Sequence, residues 1–357
     1  MNVLSQVRPP PPLHDLLGVS FEFNTKITAL AWDRAFACFG LADGSVAILR
    51  ANWEGAPQLR PRSGGGIEIA AGTAPPPPPA IFPVHKGEVF SMAADPLGGV
   101  VTGAEDGRLR RLHDGEISTM DEKPRRKIRA VAAGRGGRRA FAAGRNVDVL
   151  GPDAKRLTMP GPVTSLAYDP AGLHLAVGFA GGVSLQACGI RRNPEFQGGN
   201  FGVLAWDADG ARLAAVDETG RLVLRNRAAD DWEVVDGLAG PARAIAFAAD
   251  GALVVAGSDF VQAIGPRGAQ HVGRARHGAA PIACHPRLGL VACAGRDGAI
   301  LLCRPGTADV MTIRDAGAAP IFLAFSPDGN ALAFAADDGE AGTVILPDIL
   351  FRIGDAR

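Results

Sequence analysis

The sequence predicts an all-β chain folded as a single closed β-propeller of four-stranded antiparallel blades, its ring closed by an N-terminal strand. Three observations predict this. A triplet of a large aliphatic residue, alanine and usually an aromatic returns eight times along the chain. Each copy is followed by short β-favouring runs separated by Gly- and Asp-containing turns, the signature of consecutive hairpins. An alternating apolar and polar segment also stands ahead of the first copy, where a closing strand is required.

The triplet alanines are Ala31, Ala93, Ala132, Ala167, Ala205, Ala246, Ala283 and Ala324. Their intervals are 62, 39, 35, 38, 41, 37 and 41 residues, so an insertion follows the first copy and the rest keep a period near 40. Successive strand residues face opposite sides, so Leu30 and Ala31, or Leu204 and Ala205, point away from each other. One face of each innermost strand is therefore small and the other bulky, and neighbouring units can interlock.

The copy beginning at Val203 shows the unit most clearly. Strands are expected over 203–206, 212–216, 221–224 and 232–235, with turns at Asp209-Gly210 and Thr219-Gly220. Other copies repeat the second of these turns as Asp43-Gly44, Asp106-Gly107, Gly181-Gly182, Asp297-Gly298 and Asp338-Gly339. The copy near Ile128 is the most eroded, with Gly136-Gly137 and Gly144-Arg145-Asn146 as its turns.

The run from His85 through Val89, Asp95-Pro96 and Asp106-Gly107 to Leu112-His113 resembles a repeat of the WD-repeat β-propeller family. The resemblance extends over nearly the whole chain. Leu112-His113 stands where that family closes a repeat with Trp-Asp, and elsewhere the dipeptide is Leu49-Arg50, Arg225-Asn226 or Cys303-Arg304. His85 matches the family's opening histidine and Asp106 its turn aspartate, while a complete His–Asp–Ser/Thr–Trp set stands in no repeat. The resemblance implies a divergent bacterial member.

Seven blades are usual in that family, yet eight triplets are present. Eight blades are expected, with seven as the alternative. Residues 19–23 should pair beside 343–346 as the outer strand of the last blade; residues 349–351 are the rival for that place. The chain then divides into a disordered proline-rich tail over 1–17, the propeller over 18–347 with a Gly/Pro-rich insertion at 52–81, and a C-terminal tail over 348–357.

Composition limits the function classes. Hydrophobic residues make up 47% of the chain and charged residues 21%, as in a globular protein with ample core. No apolar run approaches the ~18 residues of a membrane span, and residues 1–8 lack the pattern of a secretory signal. The five cysteines, Cys38, Cys188, Cys284, Cys293 and Cys303, are scattered and odd in number, unlike a disulfide framework. A cytoplasmic chain, monomeric by itself, is expected.

Net charge is zero but unevenly placed. Between Arg108 and Arg145 lie twelve basic and four acidic residues, a local balance of +8. Lys123, Arg125, Arg126 and Lys127 enter the third unit, and Arg145 with Asn146 form its second turn. These six should meet on the upper face, defined here as the face carrying the second turn of each unit; Arg135, Arg138 and Arg139 belong to the opposite one. The insertion, with its five prolines Pro75, Pro76, Pro77, Pro78 and Pro79, is expected to be stiff polyproline II and to lie over the same upper face.

Cys284, His285, Cys293 and Cys303, with His271 and His277 nearby, invite a metal reading. The first and third strands of a blade lie ~10 Å apart, too far for thiolates that share one ion, so no metal and no cofactor are expected. No nucleophile elbow, phosphate loop or zinc-helix motif is present. The expected function is a non-catalytic protein–protein interaction scaffold whose partner is acidic. Nucleic acid is disfavoured because no aromatics interleave with the arginines, and no membrane is involved. The alternative is an enzyme or a small-ligand- or metal-binding propeller working in the central channel, with Asp217, Glu218, Asp259, Asp337 and Asp338 facing a pocket.

Overall fold

The eight triplets lie on eight innermost strands: Ile27–Asp33, Val89–Ala94, Ala130–Gly134, Val163–Tyr168, the second half of Glu195–Trp206, Ala244–Phe247, Ile282–Cys284 and Pro320–Phe325. The computed structural model describes residues 11–63, 66–187, 195–226, 231–265, 268–272, 280–295 and 297–352. Each inner strand packs beside the next, and the first lies beside both the second and the last, so the fold is a closed β-propeller.

Interlocking of small and bulky faces is visible between repeats. Phe39, Leu41 and Trp32 of the first pack with Ala331, Ala333, Ala335 and Ala341 of the last. Ala130, Ala132, Ala140 and Ala142 of the third receive Leu175, Val177 and Phe179 of the fourth. The triplet also supplies hydrogen bonds between repeats. Trp32 Nε1 donates to the Ala324 carbonyl at 3.0 Å, and Trp206 Nε1 to the Ala167 carbonyl at 3.2 Å.

Hydrogen bonding groups the ring strands into seven sheets, the number held as the alternative, rather than eight separate blades. Six sheets have four antiparallel strands, and one has six. The six-stranded sheet covers repeats four and five. Its strand Glu195–Trp206 pairs through residues 195–200 with His174–Ala187 and through residues 201–206 with Arg212–Asp217. The break expected between the two repeats is therefore a bend at Gly198 and Gly199, both in the left-handed region, and not a loop.

At the ends, Gly18–Glu22 pairs antiparallel with Glu340–Ile345, Val19 lying opposite Thr343. Residues 349–351, the rival for that place, fall instead in a short helix, α2, Ile349–Arg352. One tail expectation needs correction. Residues 13–17 are not disordered: they form α1, Leu13–Leu17, with Leu13 and Leu17 buried. Leu13, Leu16 and Leu17 share one helical face, which seats them against the last two repeats. The C-terminal segment likewise packs Leu350 and Phe351 onto that cluster.

The insertion is also corrected. Ala80–Pro83 is the fourth strand of the first repeat, pairing with Ser45–Arg50, so the insertion joins the third and fourth strands of one sheet. In an antiparallel sheet that connection lies at the same end as the turn between the first and second strands. It therefore belongs to the lower face, opposite the Asp-Gly turns. Within it, Gln58–Pro61 and Ile67–Ala70 form a hairpin. Trp53, Leu59 and Ile69 rest on the cluster that holds α1 and α2.

Candidate functional site

The expected basic cluster is assembled by one close approach. The segment 123–126 folds over Gly107, whose φ is +75°; a Cβ there would stand 2.4 Å from the Arg126 carbonyl oxygen and 2.5 Å from that of Lys123. Lys123 N donates to Gly107 O at 2.8 Å, and Arg126 N to Lys123 O at 3.1 Å. Arg125 takes φ +63°, left-handed for a residue with a side chain. The tight turn pushes Arg125 and Arg126 into solvent.

The six expected residues divide into two kinds. Lys123 is half-buried and paired, its Nζ lying 2.8 Å from Asp121 and 3.5 Å from Asp148 and over the Phe141 ring. Lys127 Nζ lies 2.5 Å from Glu105. Arg125, Arg126 and Arg145 are exposed and have no ion pair among the described residues. Asn146 accepts from Thr158 Oγ1 at 3.1 Å. A cleft of about 200 Å³ opens between the two segments, lined by Lys123, Pro124, Arg126, Asn146, Asp148 and Arg156 among others.

Sequence reasoning missed two members. Arg129 is exposed and stacks 4.8 Å over the Phe90 ring, outside any ion pair among the described residues. Arg156 donates to Asp148 at 2.7 Å from the adjacent strand. The place of Arg156 follows from strand register, Asp148 lying opposite it, which a charge count along the chain does not reveal.

Beside this rim His85 is held between Asp106 Oδ1 at 3.0 Å and Thr102 Oγ1 at 2.8 Å. Burial pushes the imidazole below its ordinary value, and the nearby Asp106 carboxylate only partly opposes this. A neutral ring then donates from Nδ1 to Asp106 and accepts from Thr102 at Nε2. Burial alone would raise the Asp106 carboxyl, but the Lys86 and Arg108 amides together with His85 hold it below the usual range. Three of four members of the hydrogen-bond set are thus joined, and Thr102 was not foreseen.

Four more arginines of the basic stretch are held in ion pairs. Arg139 binds Asp95 through Nη2 at 2.6 Å and Nε at 3.0 Å, and Arg111 Nε binds the same oxygen at 3.0 Å. Arg138 meets Asp153 at 2.7 Å, and Arg108 meets Glu122 at 3.3 Å. The prolines Pro75 to Pro79 lie on the lower face, away from this rim, so the expected convergence of the two surfaces does not occur.

Among the described residues the cysteines and histidines of this stretch are buried or bonded separately. Burial pushes the Cys284 thiol up to about 12. The Cys303 contact, then burial, raises that of Cys293. His285 is fully buried, its Nδ1 accepting from the Arg287 and Leu288 amides. Cys188, His277 and the His271 side chain lie outside the described residues. Among the described residues no three His, Cys, Asp or Glu side chains gather as metal ligands. Asp217 caps its own turn through Thr219 and Arg221, while Glu218 on that turn, Asp259 on a second and Asp337 with Asp338 on a third are exposed. No described helix is long and apolar enough to cross a membrane.

No family model and no curated protein matches this chain. Solved structures do match. One is the crystal structure of the computationally designed Ika8 protein, at a TM-score of 0.64 and 18% identity, covering 91% of this chain and 97% of that one. At that identity the likeness concerns the fold alone: this chain is a β-propeller.

Proposed function

We propose that this chain is a non-catalytic interaction scaffold of the WD-repeat kind that binds an acidic protein segment on the upper rim of repeats two and three. One observation carries the reading: Arg125, Arg126, Arg129 and Arg145 stand exposed in adjacent segments without an ion pair among the described residues. Charged side chains placed this way favour a complementary partner and speed its encounter. The neighbouring His85–Asp106–Thr102 set supports the family reading, because it braces the turn on which the rim is built. We read the six-stranded sheet as two blades joined at Asn200, which keeps eight repeats in one ring. The free thiols of Cys38, Cys284, Cys293 and Cys303 suit a reducing cytoplasm.

Fluorescence anisotropy with a labelled oligoglutamate peptide tests this. The wild type should bind, more weakly as salt rises. The variant Arg125→Ala/Arg126→Ala/Arg145→Ala should lose about tenfold or more in affinity, whereas Arg60→Ala/Arg62→Ala in the lower-face insertion should lose nothing. Equal affinity for the wild type and the triple rim variant would overturn the reading.

A further inference from the structure

The five prolines of the insertion carry a second surface, independent of the rim and on the other face. Proline holds φ near −65° and forces the residue before it into an extended conformation, so residues 74–78 are confined to extended backbone, which in a proline run is polyproline II. The described peptide bonds of this run are trans. Such a helix has three residues per turn, so every third side chain shares an edge.

Burial follows that period. Pro76 and Pro79 are half-buried, and Pro75, Pro77 and Pro78 are exposed. One edge of the rod therefore rests on the propeller, and the edge bearing Pro75 and Pro78 faces solvent. Downstream of the rod, Ile81 on the strand Ala80–Pro83 is 56% exposed.

Both ends of the rod are fastened. Upstream, Thr73 N and Ala74 N donate to Gly55 O at 2.8 and 3.3 Å, and Trp53 Nε1 donates to Ala74 O at 3.1 Å. Downstream, Ala80 enters the sheet opposite Ile48. A linker needed only to span a gap has no call for this rigidity, whereas a ligand gains from it because little conformational entropy is lost on binding.

The geometry points to residues 75–79 as a preformed ligand for a partner domain with an aromatic-lined polyproline groove, read through Pro75 and Pro78. Grooves of this chemistry, in SH3, WW and EVH1 domains, accept proline side chains at i and i+3 from a polyproline II helix. The partner contributes the aromatic walls, and this chain contributes the rod.

The test titrates the intact protein into isolated SH3, WW and EVH1 domains and follows the tryptophan fluorescence of their grooves. At least one should bind the wild type, with competition by a peptide of residues 73–82. Pro75→Ala/Pro78→Ala should weaken that binding tenfold or more, and Pro76→Ala/Pro79→Ala less than threefold, while both variants keep the wild-type circular dichroism and melting temperature. Absence of binding to all three domains, or equal loss in the two double variants, overturns the inference. Arg125→Ala/Arg126→Ala/Arg145→Ala should bind these domains like the wild type, so the rim and the rod are judged separately.

Discussion

Trp32 Nε1 donates to the carbonyl of Ala324 at 3.0 Å, joining the inner strands of the first and last repeats across 292 residues of sequence. The same side chain is buried among the alanines of the last repeat. Trp32→Phe keeps most of the apolar contact but leaves the carbonyl without this donor, and should cost about 1–2 kcal/mol. Trp32→Ala adds a cavity and should cost about 3–5 kcal/mol. Urea unfolding measures both; a Phe variant as damaging as the Ala variant would assign the effect to the hydrogen bond.

Asp95 is the second junction. Its carboxylate, side chain 1% exposed, takes Arg111 from its own repeat and Arg139, 12% exposed, from the next. Removing one partner of a buried pair leaves a desolvated charge, so Asp95→Ala should destabilise by about 3–5 kcal/mol. Arg139→Met should cost less than Asp95→Ala, because Arg111 still neutralises Asp95. Melting temperatures of the two single variants and the double variant should show non-additivity.

Stability should fall with pH in two stages. Burial depresses the folded values of His85 and His285 below their ordinary 6.5. Below that pH the unfolded chain takes up protons that the native chain resists. Their contribution is full above 6.5 and is lost as the pH drops through the lowered folded values. Asp106, Asp217 and Asp328 are held below 3.8 by hydrogen bonds that outweigh burial, so their contribution is present above that value and disappears beneath it. Thermal melts between pH 8 and pH 3 should show both declines, and His85→Gln should shrink the first.

Residues 57–72 should be removable. Thr73 N already meets Gly55 O at 2.8 Å, so Ala56 can bridge directly to Thr73. The cut spares buried Ala56 and the outer strand Ala80–Pro83, which a cut reaching Ala80 would damage. Loss of the half-buried Leu59 and Ile69 should cost about 1–3 kcal/mol. The circular dichroism spectrum should persist; an unfolded product would show that the hairpin is needed to hold the ring shut.

Strand period, turn residues and the recurring triplet were legible because they are local. Leu204 and Ala205 had to face opposite ways, and Gly44 or Gly107 had to sit where φ is positive, whatever surrounded them. The basic segment 123–127 was legible for the same reason, its charge being a property of the residues themselves. Helix α1 went unread because proline richness around it masked the spacing of Leu13, Leu16 and Leu17.

What escaped was pairing between distant segments. The sequence by itself determined a repeating all-β chain, the place of its turns and the location of its cations and prolines. Only the tertiary structure decided that Ala80 belongs to the first sheet, which moves the insertion to the lower face. Only it separated paired cations such as Lys123 and Lys127 from Arg125 and Arg126, which have no ion pair among the described residues, and merged repeats four and five through one long strand. The reason is physical. Alternation and turn chemistry act over two to four residues, whereas sheet order, ion pairing and burial depend on which distant strands come to lie side by side.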